Sequence, residues 1–348
     1  MKTQAHDALT TDNLRIAKTR ALIAPAVLLE EIPLMPAAAQ FVANARATVA
    51  EIINRRDDRL LLIVGPCSVH DIDAVLEYAH LLSGLQQECA ESIFVVMRVY
   101  FEKPRTTVGW KGYLNDPGLD ESYRVNDGLR GARTLLAEIA DMGLPVATEF
   151  LDTTFGQYYT DFVSWGAIGA RTVESQIHRQ LASGLSMPVG FKNATNGGVG
   201  VALDGIMAAS HSHLFPSLTK EGAPALLETT GNPDAHLVLR GGPTPNYDAA
   251  SILEATKLLD KRSLTSGIVV DCSHGNSNKD HEQQAAVARS VMTQRQAGSR
   301  IVGLMLESHL FGGRQDTPSN YGQSITDACL DWQSTEQLVR SFVEPLSS

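Results

Sequence analysis

Apolar residues in this chain come in short runs, and each run breaks near its end at a chemically reactive side chain. LLLIVGP (60–66) leads into Cys67 and Ser68. IFVVMRVYF (93–101) carries Arg98 and leads into Lys103-Pro104-Arg105-Thr106-Thr107. PVATEF (145–150) carries Glu149, WGAIGAR (165–171) ends in Arg171, and PVGFKN (188–193) ends in Lys192-Asn193. HLVLRGG (236–242) carries Arg240, GIVVDCSHGN (267–276) carries Asp271, His274 and Asn276, and RIVGLMLESH (300–309) carries Glu307. Runs this short and continuous suit strands buried on both faces. Stretches with helical spacing follow them, at about 71–89, 126–142, 154–164, 174–185, 198–210, 248–262, 281–296 and 326–342. Strand then helix, eight times over, predicts an α/β fold of the (β/α)8 barrel type with its site at the C-terminal mouth of the strands.

Two segments are surplus to a barrel. Residues 1–58 read as an N-terminal extension for regulation or assembly, ahead of a catalytic barrel over 59–348. Within the extension, 12–22 is expected to hold a short helical piece. Prolines at 25, 33 and 36 suggest loose order through 1–36. Residues 37–56 show helical periodicity (Phe41, Val42, Ala45, Val49, Ile52, Ile53) and are expected to cover the barrel bottom. The other surplus segment, 213–231, has two alternating runs flanking Lys220-Glu221-Gly222 and reads as an inserted β-hairpin. The Gly-, Lys- and Arg-rich loop 101–126 is long enough to wall or cover the site.

The chain has 348 residues, 43% of them hydrophobic, against roughly 250 for a bare barrel. No stretch reaches the ~18 uninterrupted apolar residues of a membrane span, and the N-terminus lacks the apolar core of a secretory signal. Four scattered cysteines (Cys67, Cys89, Cys272, Cys329) form no disulfide framework, which fits a reducing cytoplasm. The net charge of -10 argues against nucleic-acid partners. Against that acidic background the strand ends gather Arg98, Lys103, Arg105, Arg171, Lys192 and Arg240. Concentrated positive charge in a concave site calls for small anionic substrates, two rather than one.

Three constellations carry the chemistry. Cys67, His274 and Glu307 follow the first, seventh and eighth strands, which are neighbours in a closed barrel, and Asp327 lies where the last helix is expected to start. Thiolate, imidazole and two carboxylates suit one divalent ion such as Mn, Fe, Co or Zn. Arg98, Arg171, Lys192 and Arg240 form an anion cradle, since guanidinium forks bind phosphate or carboxylate bidentately. Lys103 to Thr107 adds a stiffened basic loop that offers Arg105 and the Thr106 hydroxyl to a second phosphate. Asp271-Cys272-Ser273-His274 does not read as a hydrolase triad, because the residues are too close in sequence to face one another and no GxSxG elbow occurs. GGPTP (241–245) and NGGVG (196–200) lack the dinucleotide fingerprint and read as turns.

GPCSVHD, MRVYFEKPRTTVGWKGYLNDP, GAIGARTVESQIHRQLASGLSMPVGFKN, DCSHGNSNK, LESHL and YGQSITDAC resemble the bacterial type I 3-deoxy-D-arabino-heptulosonate 7-phosphate (DAHP) synthases, in the feedback-regulated form with an N-terminal extension. The resemblance runs from about residue 13 to 342. It implies condensation of phosphoenolpyruvate with erythrose 4-phosphate, the first step of the shikimate pathway, by a cytoplasmic homodimer or homotetramer. It also implies metal ligands Cys67, His274, Glu307 and Asp327. Phosphoenolpyruvate would lie on Arg98, Lys103, Arg171, Lys192 and Arg240 with Glu149 nearby, and erythrose phosphate on Arg105 and Thr106. Lys103, His274 and Cys67 would be the catalytic residues, Lys103 as proton donor. An aromatic amino acid would bind a remote pocket built from Asn13, Gly156, Gln157, Leu185, Ser186, Phe215, Ser217 and Leu226. Relatives often carry Pro-Gln where this chain has Gly156-Gln157. The sister synthase acting on arabinose 5-phosphate shares the barrel but is typically shorter and lacks the Lys-Pro-Arg-Thr-Thr loop. A non-catalytic amino-acid sensor would have lost metal or cradle residues, and none is lost here.

Overall fold

The structure, a computed structural model, describes residues 11–343. The chain begins with helices α1 (Pro25–Glu31) and α2 (Pro36–Ile53). Strands β1 (Leu60–Gly65), β2 (Ile93–Arg98), β3 (Val146–Glu149), β4 (Val163–Ile168) and β5 (Val189–Lys192) follow. Next come an antiparallel hairpin of β6 (Leu214–Leu218) and β7 (Pro224–Glu228), then β8 (Ala235–Leu239), β9 (Ile268–Asp271) and β10 (Ile301–Glu307). Leaving out the hairpin, these strands close into a parallel barrel in the order β1-β10-β9-β8-β5-β4-β3-β2. All eight expected strands are present, and all but one residue of them (Phe94) are buried, as a sheet enclosed by helices outside and side chains inside requires. The crossovers are α3 (Ile72–Cys89), α4 (Val125–Asp141), α5 (Gly156–Tyr159), α6 (Gln176–Gly184), α7 (Gly200–Ala209), α8 (Ala249–Lys261) and α9 (Gln283–Gln296), and α10 (Trp332–Val343) is the last element of the described residues.

The barrel interior is divided along its axis. Its floor is apolar: Val49, Ile52 and Ile53 of α2 pack against inward residues such as Leu61, Ile63, Trp165, Val269 and Met305. The expected bottom-covering helix is therefore there, and its apolar stripe plugs the end. One polar pair crosses this floor. Trp165 Nε1 donates to His236 Nε2 at 3.0 Å, and His236 Nδ1 donates to the Asp234 carbonyl at 2.9 Å. Burial pushes the His236 pKa down to about 4, so the ring stays neutral and both nitrogens are satisfied.

Four local expectations are corrected. Residues 12–22 form no helix; Leu14 and Ile16 are 70% and 60% exposed, so no apolar face is buried to hold one. Pro25 and Pro36 instead stand at the first positions of α1 and α2, where a fixed φ and a missing N–H cost nothing, so the prolines start helices rather than mark loose order. The helix expected over 154–164 shrinks to α5 and a 3-10 turn (Thr160–Phe162), because β4 already begins at Val163. The last helix starts at Trp332, not near Thr326. Before it, β11 (Phe311–Arg314) pairs with β12 (Gln323–Ser324), and bridges Ser308–Leu330 and Gly313–Cys329 hold the chain extended, so Asp327 comes from a loop.

The hairpin lies over 213–231 as expected, with Gly222 at φ +80° in its turn. It docks on the extension and on α5. Ala26 N donates to the Lys220 carbonyl at 2.6 Å, and Lys220 Nζ donates to the Gln157 carbonyl at 2.6 Å. No single helix among the described residues is long and apolar enough to cross a membrane.

Candidate active site

The strand pairing brings the metal-type donors together. β1 and β10 are in register with Gly65 opposite Glu307, so Cys67, two residues past β1, faces the last residue of β10. Gly65 sits at φ +154° with the Arg98 carbonyl 2.7 Å from where a Cβ would be, so only glycine permits this close approach. Ligand atoms of Cys67, Glu307 and Asp327 all lie within 4.8 Å of one another. Bonds of about 2.0–2.3 Å to one ion allow donor separations of that order. His274 stands beside them, its backbone at φ +56°. Its Nδ1 is 3.0 Å from Asp271 Oδ2 and 2.7 Å from Ser273 Oγ, and its Nε2 is 3.8 Å from Glu307 Oε1. With Nδ1–H directed at the buried Asp271, the Nε2 lone pair faces the cluster, the arrangement by which a carboxylate fixes a metal-binding imidazole.

Lys103 reaches into the same cluster. Its Nζ donates to Cys67 Sγ at 2.9 Å and lies 3.6 Å from Asp327 Oδ2. Burial opposes the Lys103 charge, but Cys67, Asp327 and Glu307 outweigh it and raise its pKa above the usual lysine value. Burial and then the Glu307 charge push the Cys67 thiol up to about 12. Burial also works against Asp327, yet Lys103 and His274 bring its pKa down to about 2.

Above the cluster a cavity of about 500 Å³ opens at the barrel mouth, and eight Lys and Arg side chains line it against four carboxylates. That excess of positive charge is what the acidic chain has concentrated. Arg98 and Lys192 lie deep and almost fully buried. Arg98 donates to Glu307 Oε1 at 3.0 Å and stacks over Tyr100 at 3.9 Å; Lys192 pairs with Asp271 at 3.2 Å and Glu149 at 4.0 Å. Arg240 is half-buried and Arg171 exposed on the wall. The Arg240 main chain is fixed by an asparagine relay: Asn193 Oδ1 accepts from Arg240 N, Asn246 Oδ1 from Gly241 N, and Asn276 Oδ1 from Asn246 N, each at 2.8 Å. Arg105 and Thr106 are exposed at the rim, with Arg105 Nε donating to the Trp110 carbonyl at 2.7 Å. The loop over 101–126 thus forms a wall of the cavity. Every residue expected in the metal set and the two anion sites lines this cavity except Cys67, which is buried beneath it.

Sequence reasoning missed Glu102. It lines the cavity, is 5% exposed, and accepts from the backbone N–H groups of Leu151 and Asp152 just past β3. Burial, aided by the Asp152 charge, raises its pKa to about 8. The only signal was its place beside Lys103. Arg314 and Lys279 also line the cavity and were not singled out.

The residues expected around an effector are only partly brought together. Gly156 and Gln157 begin α5 beside the hairpin turn, and Leu185 and Ser186 follow α6. Phe215 is buried on β6, and Ser217 shares its hairpin face. Leu226 pairs with Pro216, so strand alternation turns it to the opposite face, where it is 68% exposed. That separates Leu226 from Phe215 and Ser217; the residue opposite Phe215 is Leu227. Asn13 is exposed, at φ +58°, and hydrogen-bonds with Asp12.

This geometry has close counterparts among known proteins. A model of the DAHP synthetase I family matches residues 36–340. The Phe-sensitive phospho-2-dehydro-3-deoxyheptonate aldolase of Escherichia coli strain K12 is 50% identical over 342 residues, covering 97% of this chain and 98% of its own. The Tyr-sensitive enzyme of Salmonella typhimurium strain LT2 is 48% identical over 347 residues, 98% of this chain and 97% of its own. The solved structure of the Francisella tularensis SCHU S4 aldolase of that name superposes with a TM-score of 0.93 at 47% identity, covering 94% of this chain and 97% of that one. The chain belongs to the DAHP synthetase I family.

Proposed function

We propose that this protein condenses phosphoenolpyruvate with D-erythrose 4-phosphate to give DAHP and phosphate, under feedback inhibition by an aromatic amino acid. The observation that carries this reading is a thiol–carboxylate–imidazole cluster at the base of a cationic cavity with anion-binding groups at two depths. Cys67, His274, Glu307 and Asp327 would hold one divalent ion of the Mn, Fe, Co or Zn class, which supplies Lewis-acid polarisation of the erythrose aldehyde oxygen when bound. Arg98, Lys192, Arg171 and Arg240 hold the phosphate and carboxylate of phosphoenolpyruvate with Glu149 beside them, and Arg105 and Thr106 hold the erythrose phosphate at the rim. So held, C3 of phosphoenolpyruvate faces the aldehyde carbon and forms the new C–C bond. Water then adds at C2 and gives up a proton, and the bond between C2 and the bridging oxygen breaks, so phosphate leaves with that oxygen and the oxygen from water becomes the C2 carbonyl. The cationic cradle offsets the charge that gathers on the departing phosphate. Lys103, protonated and within reach of the cluster, gives the proton to the new alkoxide.

Control rests on the extension (1–58) and the hairpin. Lys220 ties the hairpin turn to Gln157 on α5, and Glu102 ties the segment before α5 to the Lys103–Thr107 loop, so an effector near Asn13, Gly156, Gln157, Leu185, Ser186, Phe215, Ser217 and Leu226 has a contiguous route to the substrate loop. Gly156 leaves only ordinary contact distances, 3.4 Å to Thr160 and 3.6 Å to Phe150, at the position of a Cβ. The protein works in the cytoplasm as a homodimer or homotetramer. The test follows phosphoenolpyruvate loss with erythrose 4-phosphate. Chelator should abolish it and Mn, Co or Fe restore it. Phenylalanine, tyrosine or tryptophan should inhibit the intact enzyme at low phosphoenolpyruvate, but not a form lacking residues 1–15, the first ten of which lie outside the described residues. Turnover in metal-free protein overturns the catalytic reading; no inhibition by any of the three at millimolar levels overturns the regulatory one.

A further inference from the structure

Glu307 holds its place by an unusual partnership. β9 ends at Asp271, opposite Met305, so β10 runs two residues past its neighbour on that side. On the other side Ser308 N donates to the Gly65 carbonyl at 2.9 Å. By the alternation of a parallel ladder, the main-chain groups of Glu307 therefore point toward the missing end of β9. Gln284, at the start of α9 and fully buried, fills that gap. Its Nε2 donates to the Glu307 carbonyl at 3.0 Å, and its Oε1 accepts from Glu307 N at 2.8 Å. One side-chain amide thus replaces a strand peptide at the residue whose carboxylate faces Cys67 and Asp327. The Glu307 carbonyl has a second donor in Leu330 N, at 2.9 Å, so the acceptor arm of Gln284 matters more.

We propose that Gln284 is a positioning residue for the metal centre: it fixes the main chain of Glu307 so that the carboxylate meets the ion with Cys67, His274 and Asp327. This rests on the reading of those residues as ligands. Partners one step behind a ligand typically change metal affinity about 10- to 100-fold when removed. Gln284→Met keeps the length of the side chain and removes both hydrogen bonds.

The experiment titrates metal-free protein with Co²⁺ and follows the thiolate-to-cobalt absorption band, alongside the melting temperature of the metal-free form. Wild-type protein should show the band and Cys67→Ser should not; absence of the band in wild type defeats the ligand reading and leaves no centre for Gln284 to position. With the band present, Gln284→Met should weaken cobalt about 10- to 100-fold. A residue that merely staples α9 to β10 would lower the melting temperature and leave cobalt affinity within about twofold of wild type, and that result overturns the proposal. Gln284→Asn, which keeps an amide but is one methylene too short, replaces the methionine variant if the latter does not fold. It should weaken cobalt in the same direction, and unchanged affinity overturns the proposal equally.

Discussion

Metal affinity at the proposed centre should depend steeply on pH, because the thiol that would have to lose a proton holds it tightly. Cys67 lies fully buried beneath the cavity, and burial together with the Glu307 charge raises its thiol to about 12. Asp327 is already ionised, its pKa brought down to about 2 by Lys103 and His274 against the cost of burial. Lys103 keeps its proton, since the charges around it raise its pKa. Between neutrality and about pH 9 the thiol therefore remains protonated without metal and is deprotonated with it, so each ion bound releases a proton. A one-unit rise in pH is worth about 1.4 kcal/mol toward the metal-bound form. Apparent affinity should tighten about tenfold per pH unit, or about a hundredfold over two units. The assay is Co²⁺ titration against a competing chelator at several pH values, with proton release measured in weak buffer. Cys67→Ala removes the titrating group and should flatten the dependence as well as weaken binding. A flat profile in wild type, or an unchanged slope in Cys67→Ala, would refute the reasoning.

Arg105→Ala should raise the KM for erythrose 4-phosphate and Arg171→Ala that for phosphoenolpyruvate. On the proposed assignments each loses a charged contact of about 1.5–3 kcal/mol, roughly ten- to a hundredfold, and steady-state kinetics with both substrates varied shows whether the effects separate. Glu102 has a folded pKa of about 8 against an ordinary value of 4.5. It therefore contributes stability below its unfolded pKa, and this is lost as pH rises through the folded one. Glu102→Gln, which stays neutral, should raise the melting temperature more near pH 8 than near pH 5; an equal shift at both would show that the carboxyl is not held neutral.

The barrel was legible because a strand buried on both faces must be apolar throughout, and eight such runs separated by helical periods admit few other folds. The candidate site stood out for the same reason: Arg98, Glu149, Lys192, Asp271 and Glu307 are polar residues at the ends of runs that otherwise exclude them. What periodicity could not show was where helices yield to tertiary demands. Residues 12–22 have helical spacing but nothing to pack against, and Pro25, taken as a sign of loose order, starts α1. Thr326 and Asp327 were assigned to a helix because nothing local marks two short bridges to residues far back in the chain. Gln284 and Glu102 escaped notice because they act on main-chain groups, which leave no trace in side-chain pattern. Periodicity also did not show that Leu226 pairs with Pro216 and so lies on the hairpin face opposite Phe215 and Ser217.

The plugged floor of the barrel has a kinetic consequence. Val49, Ile52, Ile53 and Trp165 seal one end, so everything that enters the cavity must leave by the same opening. Arg98 and Lys192 lie at the bottom of this cul-de-sac, and Arg105 and Thr106 at its lip. If a molecule seated at the lip shuts the deeper seat, occupancy follows a last-in, first-out rule. On the proposed seating, phosphoenolpyruvate should bind first, and erythrose 4-phosphate in excess should inhibit in competition with it. Random order of addition would show that a molecule at the lip leaves the deeper seat open.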